Sequence, residues 1–431
     1  NIAPRVKMSC EIVCSETVGN FLSSEYGIIF SILKNIPMKE LQRMSLVCKT
    51  WNQAVKQIKK ERIEPDWFLW MPRFPSSYMP SCSNLASGGE DNTASKAANT
   101  EAGAHEEYVD LFNPFFCYFS KVFKEMLCEP RICLLFVTEY FFSSIDYKNW
   151  PNNILPKGKN SVVTLLSDAF PKHCQVYGIE TSGIIGSFWR SSEACEEETV
   201  PSIAALLFPK IPNLEIYPFV INESCDIRRD APITEDIIYD LTQIPKDKNV
   251  KALIFFCNSV DRGGKGATIV SEFYNSKESN CVAIGGGFGG NVILPPHMKV
   301  KCKFAPYTVG CAFAGEYVKA ASIVISRQTH TMQGVERRIR ELKQADLYPT
   351  KIAFMFACVG RGFQLYDEVN VESKVFQKVF PGVPVFGFFG EGEIGTEYIP
   401  NAQKSNTSKK RRKYDLYHQY TTIFVVISYK S

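Results

Sequence analysis

Cys358 stands three residues before Arg361 in the stretch Cys358-Val359-Gly360-Arg361-Gly362. The thiolate is the reactive form of cysteine, and a nearby guanidinium favours it. Gly390-Glu391-Gly392-Glu393 adds two carboxyl groups, and Tyr417-His418 adds an imidazole. These are the groups that proton transfer or nucleophilic chemistry would use. Cys358, Arg361, Glu391, Glu393 and His418 therefore form the candidate ligand or substrate pocket. The competing reading is a buried Cys358 acting as a small hydrophobe. Nothing in the spacing shows that Cys358 and His418 meet. No catalytic residue is assigned, and the chain is read as non-enzymatic.

Other motifs resolve into bland readings. Gly285-Gly286-Gly287-Phe288-Gly289-Gly290 has the spacing of a dinucleotide loop. That site needs a helix next and an acidic residue about 20 positions on. Asn291-Val292-Ile293-Leu294-Pro295-Pro296 follows instead, and no Asp or Glu occurs from 291 to 315. Arg262-Gly263-Gly264-Lys265-Gly266 lacks the Ser or Thr of a phosphate loop. None of the 15 cysteines shows the Cys-x-x-Cys spacing of a zinc site, so neither metal nor cofactor is assigned. Lys409-Lys410-Arg411-Arg412-Lys413 reads either as a solvated turn or as a nuclear import signal, and Glu196-Glu197-Glu198 as a solvated loop.

The candidate pocket needs strands to hold it. Ile352 to Ala357 is a near-continuous apolar run, expected of a central strand buried on both faces. A helix over 334–345 with Val335, Ile339 and Leu342 on one face precedes it, and a helix over 371–380 leads into a strand at 384–389. Cys358 and Gly390 then sit at neighbouring strand exits, where pockets form in such sheets. A faint repeat accompanies them. Phe170-Pro171, Val176-Tyr177-Gly178 and Ile185-Gly186 are echoed by Phe380-Pro381, Val385-Phe386-Gly387 and Ile394-Gly395. It predicts a domain of two related halves, 108–245 and 246–431.

The N-terminal part differs. Ile28, Ile29, Ile32, Leu33 and Ile36 recur at helical spacing, Pro37 interrupts, a second short helix follows over 39–47, and Trp51, Val55 and Ile58 stripe a third. This gives a helical domain over 24–70 behind a tail at 1–23. Residues 71–107 are rich in Ser, Asn, Ala and Gly and poor in large apolar side chains, so they read as a disordered linker. A net charge of +4 over 431 residues calls for no nucleic-acid partner, and no charge-free apolar run reaches the roughly 18 residues that would span a membrane. Residues 1–20 lack the pattern of a secretory signal, so free thiols in a reducing compartment are expected.

The stretch Ile32 to Val55, ILKNIPMKELQRMSLVCKTWNQAV, resembles an F-box. The resemblance implies docking on the Skp-type adaptor of a cullin ubiquitin ligase through Ile28, Ile29, Ile32, Leu33, Ile36, Pro37, Leu41, Leu46, Val47, Cys48 and Trp51, with Leu33 and Trp51 as anchors. Phe354–Gln364, Pro384–Gly395 and Tyr417–Ile427 resemble the FIST domain of F-box and signal-transduction proteins, and Cys174–Gly183 and Leu206–Phe219 resemble its N-terminal half. The combination implies an α+β or mixed α/β protein: a small three-helix F-box followed by a two-part α/β FIST domain. It further implies a substrate receptor of the ligase, in cytoplasm and nucleus, recruiting protein targets for degradation. The alternative is a signal-transduction protein whose FIST pocket binds a small molecule.

Overall fold

The computed structural model describes residues 25–72, 112–139, 141, 170–224, 232–258, 264–276, 282–295, 298, 307–400 and 415–430. The tail, residues 73–107 of the expected linker, Arg262-Gly263 and the basic cluster at 409–413 lie outside them.

Three helices open the fold: α1 (Tyr26–Leu33), α2 (Met38–Met44) and α3 (Lys49–Glu61). Ile29 and Leu33, one turn apart on α1, close on Leu41, Ala54, Val55 and Ile58. Pro37 caps the start of α2, where its φ of −55° suits the first turn and its missing amide proton costs nothing.

The chain then runs through three consecutive units of the same plan. The first contains β1 (Asp66–Trp70), α4 (Phe112–Glu125), β2 (Ile132–Thr138), β3 (Gln175–Thr181), β4 (Gly183–Ser187), β5 (Ala194–Glu197) and β6 (Ile203–Phe208). The second contains β7 (Glu215–Asn222), α5 (Glu235–Thr242), β8 (Val250–Cys257), α6 (Lys265–Ser276), β9 (Ala283–Phe288), β10 (Val292–Ile293) and β11 (Tyr307–Ala314). The third contains β12 (Val318–Ile325), α7 (Met332–Glu341), β13 (Thr350–Cys358), α8 (Gly362–Tyr366), α9 (Val371–Val379), β14 (Val385–Gly390), β15 (Glu393–Gly395), β16 (Tyr417–His418) and β17 (Thr422–Tyr429).

Among the described residues these strands form three sheets, ordered β1-β6-β2-β3-β10, β7-β11-β8-β9-β15-β16 and β12-β17-β13-β14-β4-β5. In each, a central strand pairs parallel with the next strand of its own unit, which then pairs with a short strand donated by another unit. The second unit donates β10 to the first sheet, the third donates β15 to the second, and the first donates β4 to the third. One glycine serves the same purpose in each. Gly178, Gly286 and Gly387 sit between the central strand and an isoleucine of the donated strand: Ile293, Ile394 and Ile185. A Cβ there would lie 2.1, 2.2 and 1.7 Å from the carbonyl oxygens of Leu135, Phe255 and Met355. Only glycine permits so close a backbone approach.

The inner faces of the sheets share one core. Phe136, Phe256 and Phe356 occupy the same position of the three central strands and gather with Phe388, at centroid separations of 5.2 to 6.2 Å. Helices cover the outer faces, with Phe115 and Phe119 of α4 on Phe68 and Trp70 of β1, and Phe376 of α9 stacked on Phe424 of β17.

Three expectations are corrected. The repeat has three copies rather than two halves, and position 246 falls within the second unit, between α5 and β8. The glycine-rich second copy hid the pattern. Secondly, the helical domain does not extend to residue 70, because β1 pairs with β6 in the first sheet. Thirdly, the acidic run is no solvated loop: Glu196 and Glu197 end β5, and Glu196 is buried.

Candidate functional site

The exits of β13 and β14 bring most of the candidate pocket together, packed rather than open. Arg361 follows β13 and is only 1% exposed. Its Nε donates to Glu372 Oε1 at 2.8 Å, and its Nη2 also meets that carboxylate. Nη2 further donates to the Thr329 carbonyl and Tyr366 hydroxyl, and Nη1 to the carbonyls of Ser326 and Tyr420. Tyr366 donates to the same Glu372 oxygen at 2.6 Å. Arg361 is thus a buried staple tying the loop before α7 to the α8–α9 connection and the turn before β17. Removing one partner of such a pair would leave an uncompensated charge inside the protein.

Glu372 lies in the first turn of α9, beside a second buried carboxyl. Glu196, reaching from β5, accepts the Ser373 N–H at 2.6 Å at the N-terminus of α9. Burial first, and then repulsion from Glu372, push Glu196 up to about 7. Glu198 accepts the Phe363 N–H at 3.0 Å. A run in the first unit therefore holds the third unit's exit.

Cys358 and Glu393 form the other half of the site. Glu393 Oε2 accepts from the Thr421 N–H at 3.1 Å and from its hydroxyl at 2.6 Å. Burial pushes Glu393 up to about 7 against these hydrogen bonds. The thiol of Cys358 lies against Glu393, and burial followed by that carboxylate raises its pKa. This overturns the expectation that Arg361 would activate the thiol. Arg361 is spent on Glu372, and the charge that reaches Cys358 is negative.

Of the remaining candidates, His418 on β16 is the antiparallel cross-strand partner of Glu393. Glu391 is exposed at the β14–β15 turn. His418 Nε2 lies 3.0 Å from the Gly395 carbonyl oxygen. A cavity of about 330 Å³ opens at the opposite end of β13, lined by Tyr317, Tyr348, Pro349, Thr350, Tyr429 and Lys430. Gly285 to Gly290 form β9 and its exit, and the space a Cβ would need at Gly285, Gly287 and Gly289 is filled by Val425, Gly392 and Glu180. Among the described residues, no group of three or more His, Cys, Asp or Glu side chains could hold a metal ion.

The helical module presents a different surface. The expected adaptor set splits in two. Ile29, Leu33 and Leu41 are fully buried in the module's own core, with Ile36 and Trp51 packed against it. Leu33 is therefore a core residue, not a surface anchor. Pro37 and Cys48 are half-buried caps of α2 and α3. Ile28 (40%), Ile32 (45%), Leu46 (85%) and Val47 (58%) are exposed, as is Tyr26 (41%), which sequence reasoning passed over. Ile28 and Ile32 lie one turn apart on α1, and Leu46 and Val47 project from the α2–α3 turn.

Comparison with known proteins agrees with this division. Residues 25–62 match the F-box domain and residues 312–396 match the FIST C domain. The chain thus joins a region similar to the F-box domain to a region similar to the FIST C domain. F-box only protein 22 from Homo sapiens is 28% identical, with 94% of this chain and 93% of that protein covered. The Pongo abelii protein of the same name is 27% identical over the same shares. A solved structure, a cyanuric acid hydrolase from A. caulinodans, covers 69% of this chain and 90% of its own at 9% identity, with a TM-score of 0.30; a likeness that weak carries no argument.

Proposed function

We propose that this protein is a substrate receptor of a Skp–cullin–F-box ubiquitin ligase, non-catalytic itself, which recruits protein targets through its large domain for ubiquitination and degradation. The observation that carries the reading is the exposure of five large apolar side chains on the small helical module: Tyr26, Ile28, Ile32, Leu46 and Val47. Large apolar groups left exposed on a small helical module point to an interface, and a Skp-type adaptor, itself bound to a cullin scaffold, is the partner an F-box takes. The buried site at the strand exits supports the non-catalytic half of the proposal, since its arginine, thiol and carboxyls are committed to one another. Residence in cytoplasm and nucleus belongs to the same proposal.

The test separates surface from core. Leu46→Asp combined with Val47→Asp changes only exposed residues, so the module should stay folded while co-purification with the adaptor is lost. Leu33→Ala should instead cost the module about 2–5 kcal/mol by opening a cavity, and reduce binding only as far as the module unfolds. Wild-type co-purification by the folded double variant would refute the assignment.

A further inference from the structure

The junction between F-box and large domain is built as a joint. Arg62 follows the last residue of α3 and turns its guanidinium back under α1. There Nη2 donates to the carbonyls of Leu33 at 3.4 Å, Lys34 at 3.0 Å and Ile36. The first two belong to the last residue of α1 and to its C-cap, where carbonyls lack the amide partner four residues on, although Leu33 O also accepts the Ile36 N–H at 3.1 Å. From the same guanidinium Nη1 donates across to Leu127 O, in the large domain, at 3.2 Å. Other F-box groups land on the same short segment. Met38 N–H donates to Met126 O at 2.9 Å, and Lys59 Nζ lies 3.4 Å from Glu129 Oε2. That segment is itself held from below. Asp66 Oδ2 accepts the Leu127 N–H at 3.2 Å, and the side chains of Met126 and Cys128 are buried with α4 and the first sheet.

We infer that Arg62 is a positioning residue: it locks the F-box onto the Met126–Glu129 segment, so that adaptor and target surfaces are held at one fixed orientation. The inference rests on the receptor reading for its purpose, but the joint itself does not. A planar guanidinium suits this work, because its fork of donors serves both sides at once. Residues 73–111 fall between β1 and α4, two elements of the same unit, and so cannot act as a spacer between the modules.

Hydrogen exchange on the full chain tests the joint without any partner. In Arg62→Ala the Met38 amide should exchange at least about tenfold faster, while amides of α3 and the central strands keep their protection. Unchanged exchange at Met38 would overturn the inference. If Arg62→Ala instead strips protection from all three F-box helices, Asp66→Ala decides, because it loosens the Leu127 seat and leaves every F-box residue in place. Faster exchange at Met38 in that variant supports the joint, and wild-type exchange refutes it. In a reconstituted ligase, the chain's own lysines serve as the probe. Wild type should be modified at a restricted set, and Arg62→Ala at a broader one with adaptor co-purification intact; an identical set in both would count against the joint. Absence of any modification in wild type would remove the receptor reading, while the exchange data would still judge the joint.

Discussion

Glu393→Gln offers a measurement in which sign and size both follow from the structure. The carboxyl is displaced from its ordinary 4.5 to about 7, chiefly by burial. The folded protein therefore holds this proton more tightly than the unfolded chain. The stability this contributes is fully present below 4.5, declines as pH rises towards 7, and is gone above it. The gap corresponds to about 3 kcal/mol. Glutamine remains neutral throughout, and its carbonyl oxygen can still accept from the Thr421 N–H and hydroxyl. Urea unfolding at a series of pH values, followed by intrinsic tryptophan fluorescence, should show variant and wild type nearly equal at pH 4.5. By pH 8 the variant should be more stable by up to about 3 kcal/mol. Some of the pH dependence should persist in the variant, because Glu196 is also raised to about 7. If Glu393→Gln is no more stable than wild type at pH 8, the carboxyl is well solvated and the packed view of the strand exits fails.

Further outcomes follow from the strand exchange. Gly387→Ala should lower stability by about 3 kcal/mol or more in denaturant unfolding, because its Cβ would sit 1.7 Å from the Met355 oxygen; a loss below about 1 kcal/mol would mean the sheet yields easily. A fragment spanning 312–431 should fail to fold alone, as judged by dispersion of its NMR spectrum, since β14 loses β4 and β15 loses β9; a well-dispersed spectrum would show the exchange to be dispensable.

What the sequence disclosed was local. The apolar run at β13 and the helical periodicity of Val335, Ile339 and Leu342 survive into the structure, because burial on one or both faces writes itself directly into neighbouring residues. The F-box was legible for the same reason, although periodicity alone did not separate the Ile29–Leu33 stripe from the adjacent Ile28–Ile32 stripe. Both are apolar, and only the packing of α3 decides which faces inward. The partners of the strand-exit site were not legible. Glu196 reaches Ser373 from a strand of another unit, and the Arg361–Glu372 pair depends on a turn between α8 and α9 that no periodic pattern marks. The glycine run at 285–290 forms β9 and its exit. Its actual role, close contact between exchanged strands, needs a register that composition does not contain.

The exchange and the joint bear on the same mechanical question. A receptor with its flexible segment between adaptor module and target domain would let a bound target sample many positions relative to the ligase. Here α3 passes into β1 through Arg62 to Pro65 alone, and β1 is hydrogen-bonded along its length to β6. The first sheet takes a strand from the second unit, the second from the third, and the third from the first. A displacement of the F-box would therefore be resisted by the whole body rather than by one unit. The low-complexity stretch enters and leaves within the first unit, between β1 and α4, so its length cannot loosen the arrangement. Under the proposed receptor reading, a target on the large domain would be carried at a distance from the adaptor set by the fold, and the few residues at the joint, Arg62 above all, are where that distance would be changed.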